Sequence, residues 1–402
     1  FFGMATIYAE AVLAQRYRTT VNGKVTGGPA YYIRAAFKGT FGKVLAGVFS
    51  VLIILALGFM GNMVQSNSIG DAFHNAFGMS HLAVGIVVAV IAAFIFLGGV
   101  QRIAAVTEKI VPIMAAFYIV GCVVILVMNY KTLPNAFTQI FVLAFNPQAM
   151  AGGVAGVTVQ QAMRFGVARG LFSNEAGMGS TPHAHAVARV KHPAEQGLAA
   201  IIGLFIDTFI VVNMTAFVIL CTGSLDGTTT GIALTQKAFT LGLGTIGNGF
   251  VAVCLLFFAF TTIVGWYFFA EQNVKYLVGV RYVSIYRVLV LAFIMAGSFL
   301  HVTLVWELAD LFNGLMAIPN IIALIGLSKV VGRALEDYEK KFLAGETPEF
   351  GELAPVPADI PRYNGAPAQD PALEPKPQHH RRLGGLRNRF RRRPHNAQEN
   401  DA

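Results

Sequence analysis

Three apolar stretches of this sequence are interrupted by residues able to bind small polar ligands. The first, AGGVAGVTVQQAMRFGVARGLFSNEAGMGS at 151–180, sets Gln160, Gln161, Arg164 and Arg169 beside Gly166, Gly170, Gly177 and Gly179. Each glycine weakens a helix by about 1 kcal/mol relative to alanine, and polar groups at membrane depth line a cavity or face other helices. A helix broken in this way frees backbone N–H and C=O groups to bind a carboxylate, an amine or an ion. The alternative is close helix packing through small residues, with Gly152 and Gly156 as a G-x-x-x-G pair. The second stretch holds Gly61, Asn62, Gln65, Ser66 and Asn67. Asn62 and Gln65 share a helix face and reach either a neighbouring helix or a ligand. The third, FFAFTTIVGWYFFAE at 257–271, places Thr261 and Thr262 about one turn before Trp266. Threonine hydroxyls are hard oxygen donors suited to a sodium ion, or else bond back to the carbonyl four residues earlier. The N–H of a mid-membrane tryptophan needs a partner, and the ring would make a lid over a small pocket.

Composition defines the elements that must position these residues. Hydrophobic residues make up 55% of the 402-residue chain and charged residues 13%, whereas a soluble domain carries about a quarter charged residues. Mean hydropathy is +0.60, and the charges lie between long apolar runs. The chain therefore reads as an all-α integral membrane protein. A span needs about 20 mostly apolar residues, which gives about nine: 1–15, 44–68, 82–100, 111–128, 150–175, 197–221, 248–270, 283–300 and 304–327. No barrel-like alternation recurs. Connections rich in Arg and Lys (Arg16 to Lys43, Arg102 and Lys109, Arg189 and Lys191, Lys275 to Arg287) alternate with connections holding little beyond Lys131 and Lys237. By the positive-inside rule the basic set and the C-terminus are cytoplasmic, and the plasma (inner) membrane is the expected location. Residues 1–333 read as the membrane core. From about Ala334 the composition turns polar, and 345–402 are expected to be disordered. There Arg387, Arg389, Arg391, Arg392 and Arg393 suit an anionic leaflet rather than nucleic acid.

Phe1–Ala11 lacks the basic region and cleavage site of a secretory signal. The sequence opens in mid-pattern without Met, so residues upstream of Phe1 are expected. Cys122, Cys221 and Cys254 lie in or beside apolar segments and read as packed thiols. Glu10 and Asp207 are intramembrane carboxylates, costly groups with frequent functional roles. Structural roles are expected for both, Glu10 beside Arg16 and Asp207 bonding to a neighbouring helix. His183 and His185, in TPHAHA, lack the companions of a metal site. No P-loop, nucleophile elbow or H-E-x-x-H motif is present. The sequence thus points away from an enzyme or a cofactor and toward a process driven by an ion gradient.

The segments TGGPAYYI at 26–33, GVARGLFSNEAGMGSTPHAHA at 166–186 and FAFTTIVGWYFFAE at 258–271 resemble the alanine or glycine:cation symporter family, over residues 1–333. The resemblance implies a secondary transporter of alanine or glycine, usually coupled to sodium. It also implies a LeuT-type fold of two inverted five-helix repeats around a central site. By the same resemblance, 1–15 is the second core helix and 166–177 the unwound sixth, with Gly166, Val167, Gly170 and Leu171 nearest the substrate. Gln65 on the third core helix faces the substrate, Thr261 and Thr262 on the eighth are sodium ligands, and Trp266 closes the pocket. GGPAYY is a turn between helices rather than a site. Alanine as substrate comes from the resemblance alone. Family members carry a further core helix, with an unwound G-T-G-N stretch, upstream of the position of Phe1. About nine of the ten core helices are therefore expected here. Proton coupling and an ion channel are the alternatives, and a membrane enzyme would need a nucleophile–base or metal set.

Overall fold

A computed structural model describes residues 1–21, 23–142, 155–300 and 303–346. In hydrocarbon the backbone must satisfy its own hydrogen bonds, so long apolar runs become helices, and the described chain is almost wholly helical. Helix α1 (Phe2–Arg16) leads into an antiparallel hairpin, β1 (Thr19–Val21) and β2 (Lys24–Thr26), which pairs Thr19 with Thr26. Helix α2 (Pro29–Ala36) opens on a proline, which needs no backbone donor there. Next come α3 (Gly39–Phe77), α4 (His81–Leu97), α5 (Gly99–Met128) and the short α6 (Leu133–Phe137). Helix α7 (Ala155–Asn174) and the short α8 (Pro182–Val187) follow, then α9 (Pro193–Cys221), α10 (Gly231–Leu243) and α11 (Thr245–Val278). The chain continues through α12 (Val283–Phe299), α13 (Thr303–Gly326) and α14 (Ser328–Leu343).

The described part of each predicted span falls on these helices, the first on the 15-residue α1. Among the described residues six helices are long and apolar enough to cross a membrane. Helix α4 is as apolar but 17 residues long, and α7 is 20 residues long but polar. Residues 150–154, including Gly152 of the G-x-x-x-G alternative, lie outside the described residues, as do the arginines from Arg387 to Arg393.

Helix α11 occupies the centre, packed on α3, α5, α10 and α12. Phe96 of α4 stacks on Tyr267 at 3.6 Å between ring centroids, and Tyr267 stacks on Tyr286 of α12 at 5.5 Å. Among the described residues three stretches widen to π-helix, Ile54–Gly61 in α3, Thr138–Val142 after α6 and Ile206–Val212 in α9, a geometry frequent at functional sites. The first ends where α3 meets α11 closely: a Cβ on Gly61 would lie 2.6 Å from the Trp266 ring.

The polar composition after Ala334 does not end the packed structure, because α14 runs through that point. Its apolar face, Val331, Ala334, Leu335 and Tyr338, lies on Tyr8 and Val12 of α1 and Ala194 of α9. His192 fastens it. Its Nδ1 accepts from the Ala194 N–H at 3.1 Å, so its Nε2–H donates to Asp337 at 3.2 Å. Lys341 donates to the same carboxylate at 2.8 Å and, ahead of His192, holds it below the usual range. Burial outweighs Asp337 and holds the His192 imidazole below its ordinary value. An undocked His192 then binds a proton that the docked one refuses, so docking is full above about pH 6.5 and weakens as the pH falls below it. Amide exchange across 328–343, corrected for intrinsic rates, should lose protection over that interval in the native protein and lose this dependence in His192→Gln. Flat protection in the native protein down to pH 5 would refute the assignment.

Candidate functional site

The chain breaks between α7 and α8, and the residues that break it can be named. Glu175 (φ 53°), Gly177 (φ 89°) and Gly179 (φ 83°) take left-handed conformations, a region glycine enters at no steric cost. Unwinding was expected from Gly166 onward. Instead Gly166, Val167, Gly170 and Leu171 lie within α7, and the break begins at Glu175. The cause is a buried acceptor. Glu10 of α1, fully buried, receives the Gly177 N–H at 3.1 Å and the Gly179 N–H at 2.9 Å. Asn320 of α13 donates to Glu10 at 2.6 Å and to the Gly177 carbonyl at 2.9 Å, and it accepts from the Tyr32 hydroxyl of α2. Glu10 therefore has a structural role, with the break as its partner.

Beside the break lies a cavity of about 480 Å³, lined by Ser173, Glu175, Asp207, Thr261, Thr262 and Trp266, among others. Ser173 donates to Asp207 at 2.9 Å, which ties α7 to the π-helical turn of α9. Thr261 donates to the carbonyls of Phe257 and Phe258 at 2.9 and 3.0 Å, and Thr262 to that of Phe258 at 2.9 Å. Each hydroxyl spends its proton on the helix, and its oxygen keeps lone pairs for a cation. The Trp266 N–H donates to Glu175 at 2.5 Å, and Ser180 donates to the other Glu175 oxygen at 2.5 Å.

The structure thus brings Thr261, Thr262 and Trp266 to one cavity. It does not bring the other predicted residues there. Val167 is 61% exposed, and a Cβ on Gly166 or Gly170 would meet nothing within 4 Å. Leu171 packs on the main core, and Gln65 is half-buried on α3. Glu175 was missed as a site residue. Its signal was an acid inside SNEAG, next to glycines that allow a turn.

Above Trp266 stands an aromatic partition. Phe172 meets Trp266 edge-on at 5.2 Å and Trp306 of α13 at 5.4 Å. Trp306 lines a second cavity of about 1000 Å³. On the other side of the break, the two glycines of GGPAYY are packing residues: a Cβ on Gly28 would lie 2.6 Å from His183, and one on Gly27 2.6 Å from Ala186. His183 Nδ1–H donates to the Ser180 carbonyl at 2.8 Å, and Nε2 accepts from Asn273 of α11 at 2.8 Å. Thr26 donates to Gln272 at 3.1 Å.

Apolar helices around a discontinuous, polar helix define a multi-pass membrane transporter. The chain belongs to the sodium:alanine symporter family, whose model matches residues 1–352. It is 45% identical over 340 residues to an uncharacterized transporter of Haemophilus influenzae, covering 84% of this chain and 74% of that one. It is 42% identical over 337 residues to the sodium/alanine symporter AgcS of Methanococcus maripaludis (82% and 73% covered). Against the amino-acid carrier protein AlsT of Bacillus subtilis the identity is 40% over 350 residues (87% and 73%).

Removing the Glu10 acceptor orphans buried donors, each worth about 1–3 kcal/mol. Glu10→Ala should therefore lower the unfolding midpoint of the purified protein well below that of Asn320→Ala. Equal midpoints would contradict Glu10 as the anchor of the break.

Proposed function

We infer that the protein imports a small neutral amino acid, alanine or glycine, with sodium by alternating access. The observation that carries this reading is the cavity beside the break, where two threonine hydroxyls and two carboxylates, Glu175 and Asp207, lie under Trp266. Its charged lining, His185 apart, is acidic, which favours a cation. Trp266, with Phe172 edge-on to it, bounds one side of the cavity. Thr261 and Thr262 are the sodium ligands in this reading, and Trp266 is the lid. Gln65, Gly166, Val167, Gly170 and Leu171 lie off this cavity and are given no role in it. Membership of the sodium:alanine symporter family and a relative named sodium/alanine symporter support the coupling ion and substrate. The helices are read as part of a LeuT-type inverted repeat, with the C-terminus cytoplasmic at the plasma membrane.

Proton coupling is the second reading, because Glu175 and Asp207 share the cavity. A relative in Bacillus subtilis is named a putative sodium/proton-dependent alanine carrier. Full-length protein in proteoliposomes should accumulate labelled alanine under an inward sodium gradient and fail to do so when choline replaces sodium. Uptake that follows an imposed pH gradient without sodium would replace the first reading with the second. Thr261→Ala or Thr262→Ala should raise the sodium concentration for half-maximal uptake about tenfold, the loss of one ligand oxygen to a charge. Trp266→Ala should shift preference toward larger side chains, and unchanged selectivity would remove Trp266 from the lid.

A further inference from the structure

The larger cavity lies on the opposite side of the aromatic partition from the break, and its charges have an order. Arg164 and Arg169 reach it from α7, and Glu307 and Asp310 from α13. Arg169 and Asp310 close on each other at 2.7 Å across the two helices. The pair is only part-buried, with side chains 40% and 28% exposed, so water and solutes reach it. The Arg169 guanidinium also lies 4.4 Å from the Trp306 ring centroid and 5.9 Å from that of Phe172. Those two rings form the partition in front of Trp266. One ion pair therefore spans α7 and α13 and lies against the rings that separate the cavities.

A free α-amino acid carries the charges complementary to this pair. Its carboxylate fits the guanidinium fork, which binds carboxylates through two parallel hydrogen bonds. Its ammonium fits Asp310, with Glu307 in the same wall. We propose that the larger cavity is a first binding site for zwitterionic amino acids, which dock by exchanging into the Arg169–Asp310 pair and so release Phe172 and Trp306. The exchange replaces one ion pair by two and leaves no charge bare. An amine or a carboxylate alone trades the existing pair for one new pair and leaves the other partner to water, so it gains nothing by entering. The pair would thus select for molecules carrying both groups before the inner cavity tests side-chain size. This inference rests on the amino-acid reading of the preceding section.

The test reads binding separately from transport. Trp266 and Trp306 are the two tryptophans of this sequence. In Trp266→Phe, with any tryptophan upstream of Phe1 also replaced by Phe, emission reports the ring beside Arg169. Alanine and glycine should shift this emission in sodium-free buffer, whereas alaninamide and propionate at the same concentration should not. Arg169→Gln and Asp310→Asn should each abolish the shift while keeping the unfolding midpoint of the parent. In the otherwise native protein each should raise the apparent KM for alanine uptake about tenfold, the worth of one charge-assisted contact. The exchanged pair, Arg169→Asp with Asp310→Arg, should recover part of that loss, since a zwitterion can dock in the reverse sense. Equal shifts with alaninamide, a native KM in both single variants, or an exchanged pair no better than the single variants would each overturn the proposal. If the Trp266→Phe protein gives the emission shift yet the native protein accumulates no alanine, the transport reading fails and the docking site stands.

Discussion

The buried carboxylate of Glu10 is what allows a helix to stop in the middle of this bundle. Within a membrane an unpaired backbone N–H costs several kcal/mol, and an isolated carboxylate is costly as well. Here each removes the other's penalty, because Glu10 accepts the Gly177 and Gly179 amides. Asn320 extends the arrangement to α13 and Tyr32 to α2. Three elements distant in sequence thus converge on one turn of open backbone.

The positioned break sets out the rest of the site. Glu175, in its left-handed conformation, divides its two oxygens between Ser180 and Trp266, so the turn and the aromatic lid are held by a single side chain. Gly61 gives Trp266 its room on α3. The threonines of α11 sit about one turn before Trp266, on the helix with the most neighbours in the core, which holds them steady relative to the break. The partition of Phe172, Trp266 and Trp306 divides a smaller, acidic chamber from a larger one lined by both signs of charge.

Much of this was legible in the sequence. Apolar runs located the helices, because hydrocarbon leaves the backbone no other solution. Thr261, Thr262 and Trp266 lie close together on one helix, so their meeting followed from spacing alone. The position of the break did not. Glycine content marks where a helix is weak, and α7 tolerates Gly166 and Gly170 in helical conformation. What decides is where an acceptor waits for the freed amides, and Glu10 lies 167 residues from Gly177 in sequence. Long-range partners of that kind leave no local pattern. The docking of α14 was hidden for a similar reason: its composition is polar overall, and only its packing on α1 and α9 shows that one stripe is buried.

The close fit of Gly27 and Gly28 against Ala186 and His183 has a mechanical meaning. With Thr26 bonded to Gln272 and His183 to Asn273, the hairpin, α8 and the end of α11 form one stiff block with no room for a side chain between its parts. A block so tightly jointed cannot yield by bending one loop. Any passage opened at this end must swing the block as a unit, like a door on its frame, or must first pull these bonds apart. The hinges are therefore to be sought at the margins of the block, in Gly177 and Gly179 ahead of α8 and in the turn after α1.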